Sequence, residues 1–376
     1  MKLRHLIKGL LTVIAAALSV ALMASPLQTL LLGSGGQDTG ALGAKVEAAI
    51  SDRYDMYINN RVASALEGVL SVEKVYWLSD HDPVAPEPDQ SKFGATADPA
   101  QMAGFLESAQ DLLQGQQTLF QTDVKLMSGT KINYYLDETI MVITWKQVIH
   151  NAAYTFSEIK IAHPSQFRRF LAGGSYGSGI QLTTSDMAKS VNAVVASSGD
   201  FYAFRPLGVK VYEGVVRSAA GKYLDTCFID DKGDLLFKLA GELTTVEKTQ
   251  AFVDENNIRF SLAFGPVLLD HGKKMPINRL YAAGEVNNQY SRAALCQLGE
   301  LHYLLVAANL EGTHRNTPTM HRLQETLADM GVPTAYALDG GQTAAIVMND
   351  RLINRVDWGV QRKISDIIYF ATAIPD

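Results

Sequence analysis

From about Tyr134 onward, short runs of β-branched and aromatic residues recur at 140–144, 158–162, 193–196, 209–212, 223–229, 235–237 and 260–264. Turn residues separate them, a pattern that predicts a sheet-dominated domain. Residues 301–307 read as a buried strand, followed by a polar loop over 309–317. Thr317-Pro318 then predicts an N-cap and a first helical position. Met320, Leu323, Leu327 and Met330 line one helical face, which Gly331 and Pro333 terminate. Residues 334–338 form the next predicted strand, and 344–348 with 352–353 predict a hairpin across Asn349-Asp350. Strand, helix and strand thus lead into Asp339-Gly340-Gly341 at a strand's C-terminal end. In sheets with helical crossovers that edge is where ligands bind.

The first third of the chain reads differently. Lys2, Arg4 and Lys8 precede an uncharged stretch over 9–32, and about 20 apolar residues suffice to cross a bilayer. Positive charge before the span places the N-terminus inside and the rest outside. A cleaved signal peptide is the rival, with the same compartment as its consequence. No clean small-x-small cleavage site follows the apolar core, and hydrophobicity resumes past Pro26, so an uncleaved anchor is favoured. Residues 34–43 suit a Gly-rich linker. Residues 45–75 and 102–113 show helical spacing, and Pro83, Pro86, Pro88 and Pro99 mark a loop between them. The expected organisation is a signal anchor over 1–35, a linker and helical stalk over 36–132, and a sheet-rich domain over 133–376. The protein would be a single-pass protein of the cell membrane with its C-terminal domain extracytoplasmic.

At 376 residues and 47% hydrophobic content, the chain can bury a substantial core. A net charge of −6 and the lack of a basic stripe argue against a nucleic-acid partner. Cys227 and Cys296 both sit in apolar runs, which favours buried free thiols over a disulfide. The eight histidines form no His-Glu-x-x-His pattern, and neither a Gly-x-Ser-x-Gly elbow nor a P-loop is present. Asp230-Asp231-Lys232-Gly233-Asp234 lacks the ligand periodicity of a Ca²⁺ loop and reads as a hairpin turn. No cofactor is required by the sequence; Ca²⁺ stays open without a ligand pattern to support it. Residues 172–179 are Gly-rich without a following Lys and read as a loop. Polar residues at strand ends remain as candidates: Asp200 after 193–196, Arg217, Arg292, and Asn309, His314 and Arg315 before the helix.

Several of these segments, in order, resemble the phosphodiester glycosidase family over residues 137–372. Asn192 to Tyr202 looks like the family's Ala-Ile-Asn-Gly-Asp-Tyr-Tyr segment. Gly265-Pro266-Val267-Leu268 resembles its Gly-Pro-x-Leu element, and Ser291-Arg292-Ala293-Ala294 its Arg-Thr-Ala segment. Gly331 to Gly341 is similar to Gly-x-x-x-Ala-x-x-Leu-Asp-Gly-Gly, and Arg362 to Asp366 to the closing Arg-x-x-Ser-Asp. Departures occur at Gln342-Thr343-Ala344, where the family often has Gly-Ser-Ser, at Ser198, which replaces an Asn, and at 309–312, where Asp-Gly-Arg is absent.

The resemblance implies an α+β, sheet-rich domain with flanking helices that hydrolyses a sugar-1-phosphodiester in cell-envelope or exopolysaccharide metabolism. On that reading Arg292 and the Gly340 and Gly341 amides surround the phosphate. Asp339 or Asp200 is the carboxylate that activates water or faces the developing oxocarbenium. Gln342 and Thr343 bind sugar hydroxyls, with Arg217, Asn309, His314 and Arg315 as further substrate contacts. The alternative is an inactive, membrane-anchored relative that binds envelope polysaccharide. A purely structural protein would place Asp339 and Arg292 far apart.

Overall fold

The computed structural model describes residues 118–125, 131–137, 139–161, 163–200, 203, 207–277, 286–311 and 316–372. Four antiparallel strands come first: β1 (Thr118–Lys125), β2 (Lys131–Asp137), β3 (Ile140–Ile149) and β4 (Ala152–Ile161). β5 (Phe167–Leu171), helix α1 (Thr184–Ser190) and β6 (Val195–Ser198) follow. Next are β7 (Gly208–Tyr212), β8 (Val215–Ala220), β9 (Thr226–Ile229) and β10 (Leu235–Lys238). Helix α2 (Val246–Glu255) precedes β11 (Phe260–Leu262), β12 (Val267–Asp270) and β13 (Lys273–Lys274). β14 (Arg292–Gly299) and β15 (His302–Asn309) lead to helix α3 (Met320–Asp329). The chain closes through β16 (Thr334–Leu338), β17 (Ile346–Met348), β18 (Arg351–Leu352) and β19 (Asp366–Phe370).

These strands make a nine-stranded sheet in the order β1-β2-β3-β4-β15-β14-β16-β12-β13 and two five-stranded sheets, β10-β9-β11-β7-β8 and β18-β17-β6-β19-β5. The large sheet is buried on both faces, which explains the near-continuous apolar runs in its central strands. One face carries Trp145, Tyr154, Phe156 and Leu304 and takes Met320, Leu323 and Leu327 of α3. The other packs Ile159, Leu305 and Tyr336 against Ile346, Ile368 and Phe370 of one small sheet and Cys227, Ile229 and Leu262 of the other. Phe167 and Phe370 stack at 4.6 Å in that interface. Most predicted strands are present, in a sheet-rich α+β domain with few helices. Asn349 and Asp350 (φ 44° and 64°) turn the β17–β18 hairpin as expected, because a two-residue turn that follows strand twist needs positive φ at both positions.

Three boundaries differ from expectation. The large sheet begins at Thr118, since β1 pairs with β2, whereas the sheet-rich region was expected from 133. The N-cap of α3 is Thr319, whose side chain accepts from the Arg322 amide, and not Thr317. Asn309 is the last residue of β15 and does not open a loop. Both cysteines are free and buried. Asp230 Oδ1 accepts from the Lys232 and Asp234 amides at 3.0 and 2.8 Å, closing the β9–β10 turn. The expected anchor over 1–35, and the helical readings at 45–75 and 102–113, lie outside the described residues. Among the described residues no helix is long and apolar enough to cross a membrane.

Candidate functional site

Strand β16 pairs antiparallel with β14, with Ala293 opposite Leu338. The next residues of the two strands, Arg292 and Asp339, therefore stand side by side at the sheet's end, against the expectation for a purely structural protein. Each glycine after Asp339 has its own reason. A Cβ on Gly340 would collide with the Ser291 carbonyl oxygen, and Gly341 sits at φ 66°. The close approach that Gly340 permits is thus to the neighbouring strand. The Gly341 amide, expected to face a phosphate, donates to Ser291 O at 2.9 Å.

Arg362 donates to the Asp339 carboxylate in an ion pair. Asp339 is largely buried while the Arg362 side chain is 38% exposed, so the pair faces solvent from its cationic side. Arg292 is buried, and its Nη2 donates to Asn288 O at 2.8 Å and its Nε to Pro318 O at 3.4 Å. Its guanidinium lies 5.4 Å from the Tyr290 ring centroid. Burial pulls the Arg292 pKa down to about 10, with Tyr290 opposing, so the cation persists at neutral pH.

Asp200 enters the same region through β6, whose last residue, Ser198, directs its hydroxyl at Asp339 O over 3.4 Å. Both Asp366 carboxylate oxygens accept from the Asp200 amide, at 3.1 and 3.0 Å. Arg169 binds Asp366 Oδ2 through Nε at 2.6 Å and stands 3.7 Å from Asp200 Oδ2 through Nη2. One buried guanidinium therefore serves two buried carboxylates. Burial lifts the Asp366 pKa to about 6; Arg169 opposes this and the Asp200 charge adds to it. Gly199 is what lets the strands close here, because a Cβ there would collide with the Asp366 carboxylate.

The remaining predicted residues are distributed as follows. Gln342 Nε2 donates to Val360 O at 2.9 Å, and the Thr343 hydroxyl donates to Gly340 O at 2.6 Å, so both brace the turn. Asn309 is buried, donates to Ala344 O at 3.3 Å and accepts from Asn354 Nδ2 at 2.7 Å. Arg217 stands exposed within β8, the edge strand of a different sheet. His314 and Arg315 lie outside the described residues. Arg362 and Asp366 were visible only within the closing motif and carried no predicted role. Arg169 gave one signal, as half of an Arg-Arg pair inside the otherwise apolar β5. Among the described residues, no group of three or more His, Cys, Asp or Glu could hold a metal ion.

A family profile described as phosphodiester glycosidase matches residues 191–371. This stretch belongs to the phosphodiester glycosidase family. It spans β6 to the end of β19 and holds Asp200, Arg292, Asp339, Arg362 and Asp366, while Arg169 reaches in from outside it. A hypothetical protein from Synechocystis has a similar fold, at a TM-score of 0.50 and 14% identity, over 62% of this chain and 62% of that one. The chain thus spans less than two thirds of that protein's length. The catalytic domain of zebrafish N-acetylglucosamine-1-phosphodiester alpha-N-acetylglucosaminidase, auto-inhibited by its pro-peptide, aligns at a TM-score of 0.49 and 16% identity. That alignment covers 79% of this chain and 100% of that one. No curated protein matches the sequence. The family-matched segment supplies β12 to β16 of the large sheet and most of the two smaller sheets, with its acidic and basic groups gathered where β6 and β16 stop.

Proposed function

We propose that the protein hydrolyses the glycosidic bond of a sugar-1-phosphodiester. The observation that carries this reading is the Asp339–Arg362 ion pair beside the Gly-Gly turn, within the family-matched segment. In the reaction the bond from C1 to the phosphate oxygen breaks, its electron pair leaves with the phosphate, and water adds to C1. The products are a free sugar and a phosphomonoester. The departing phosphate is a stable anion, so the site needs cationic charge more than a strong acid. Arg362 and Arg292 supply that charge. Asp339 is the carboxylate that faces the oxocarbenium or takes the proton of water, with Asp200 and Asp366 behind it. The uncharged stretch over 9–32 supports a place outside the cytoplasm, anchored to the membrane and acting on cell-envelope or exopolysaccharide material.

The test is release of free sugar by the full chain from UDP-linked sugars and aryl esters of sugar 1-phosphates, against Asp339→Asn. Turnover that disappears in the mutant supports the reading; turnover that survives it removes Asp339 from the chemistry. A second reading, an inactive relative that binds envelope glycan, draws on Thr343. Its hydroxyl is bonded to Gly340 O in place of a free hydroxyl-bearing loop. Glycan binding by folded protein without turnover of any substrate would decide for it.

A further inference from the structure

Beside the Gly-Gly turn runs a short strap whose tip carries Trp358. Asp357–Gly359 forms a tight 3-10 turn. Its Asp357 accepts from the Ser291 hydroxyl and lies 3.7 Å from where a Cβ on Gly341 would stand. On the far side, Gln342 Nε2 holds Val360 O at 2.9 Å and the Arg362 amide donates to Gln342 O at 3.3 Å. The strap is thus tied from both ends to the residues around Asp339.

Trp358 adopts φ 55° and ψ 6°, a left-handed conformation uncommon for a bulky side chain. Leu301 shares that feature at φ 49° but is buried in the core, where packing offsets the strain. Trp358 has no such compensation, being 83% exposed. Exposed left-handed residues also occur at turns such as Glu213 and His271; Trp358 differs in that the side chain held there is a large indole beside the Asp339 turn. Tyr290, the neighbour of Ser291, is also exposed, and its ring lies beneath the Arg292 guanidinium. Two aromatic rings therefore flank the Ser291–Asp357 hydrogen bond at the rim of the site.

We propose that Trp358, with Tyr290, is a platform for a pyranose ring of the glycosyl substrate, an inference that rests on the glycosidase reading. The face of a pyranose is a set of C–H groups edged by hydroxyls. It needs a flat apolar surface with polar acceptors beside it, which is what Trp358 and the Asp357 carboxylate offer. The same carboxylate disfavours an anionic membrane surface as the occupant.

The experiment compares wild type with Trp358→Ala, Trp358→Phe and Trp358→Gly as full chains. It measures KM and kcat for hydrolysis of UDP-N-acetylglucosamine and related sugar-1-phosphodiesters, and calorimetric binding of neutral chito-, malto- and cello-oligosaccharides. Trp358→Ala is expected to raise KM and the oligosaccharide Kd about tenfold, as loss of one aromatic anchor does. Trp358→Phe should recover most of that loss. Trp358→Gly, which relieves the left-handed strain, should weaken binding in the same way without lowering Tm. A structural role for the indole would instead lower Tm in the glycine variant and overturn the proposal. Turnover by wild type with KM and Kd unmoved in Trp358→Ala would overturn the platform and leave the glycosidase reading standing. Neutral oligosaccharide binding that depends on Trp358, without turnover of any phosphodiester, would support the platform and defeat the glycosidase reading. Neither binding nor turnover by folded wild type would remove both.

Discussion

Arg362 closes on Asp339 across 23 residues of sequence, joining the segment before β19 to the end of β16. The pair puts a cation on the carboxylate that ends in the Gly-Gly turn. It also presents the exposed side of the guanidinium to any anion that approaches. Arg292, by contrast, is buried and fixed by backbone carbonyls, so its charge acts from below. Of the two cations, Arg362 is the one whose side chain reaches solvent.

Arg362→Ala is therefore expected to lower kcat/KM by about 100-fold, the usual order for removing one charge-stabilising donor. Stability should fall by about 1–3 kcal/mol, because the largely buried Asp339 carboxylate loses its cationic partner. Arg362→Lys should restore part of the activity, since charge returns without the planar fork. Sugar-release kinetics and a denaturation curve on the same preparations check both halves, and an active Arg362→Ala would remove the guanidinium from the reaction.

Gly199→Ala and Gly340→Ala should each destabilise the fold. Their new methyl groups would strike the Asp366 carboxylate and the Ser291 carbonyl oxygen respectively. Overpacking of this kind typically costs about 1–3 kcal/mol. The Gly340 change should be the larger, because its obstacle is backbone and cannot rotate away. Urea midpoints compared with wild type would show it, and a neutral Gly340→Ala would mean that β14 and β16 can separate freely.

Much of the fold could be read from local pattern. Met320, Leu323 and Leu327 repeat at helical spacing because one face of α3 meets one core, and Asn349-Asp350 announces its hairpin because few residues tolerate two positive φ values. The cap of α3 is ambiguous in the sequence because Thr317-Pro318-Thr319 offers two hydroxyls, and only geometry shows that Thr319 reaches the Arg322 amide. The glycines after Asp339 stand out in the sequence, but what they serve does not: Gly340 makes room for the neighbouring strand and Gly341 takes a positive φ. Arg169 and Asp366 are 197 positions apart and meet only because β5 and β19 are adjacent. No spacing rule connects such a pair. Asp200 and Asp339 could be picked out as residues at strand ends, whereas their cationic partners could not.

The pH dependence of stability follows from Asp366 and Asp230, each raised to about 6 chiefly by burial. The unfolded carboxyl titrates near 3.9, so between about pH 4 and 6 the native state binds more protons than the unfolded state. Stability from these groups is thus fully present below about pH 4 and is lost as pH rises through about 6. For the fully buried Asp366 the loss is roughly 3 kcal/mol at most, from a shift of about two units. Asp366→Asn should flatten that part of the curve, and Asp230→Asn should flatten a further share. Urea unfolding at pH 4, 5, 6 and 7 measures this; an unchanged slope in the double variant would show that neither carboxyl is raised.

Asn354 is expected to be the most sensitive amide around the turn. Its Oδ1 accepts from the Ile346 amide at 2.7 Å, while Nδ2 donates to Asn309 Oδ1 and to Ala344 O, both at 2.7 Å. One side chain thereby fixes the segment that follows Thr343 and links it to the end of β15. Asn354→Ala would strand the buried Ile346 amide and Asn309 Oδ1, while Ala344 O keeps its Asn309 donor, at a cost of about 2–4 kcal/mol if one or both stay unsatisfied. Asn354→Asp is nearly the same shape but turns the donor into an acceptor facing two oxygens, so it should cost at least as much at neutral pH. Lowering the pH toward 4 should recover part of the aspartate variant's stability, because a protonated carboxyl can again donate. Equilibrium unfolding of both variants at pH 7 and pH 4 tests the assignment. An aspartate variant as stable as wild type at pH 7 would show that the amide's donor side is not what holds this loop in place.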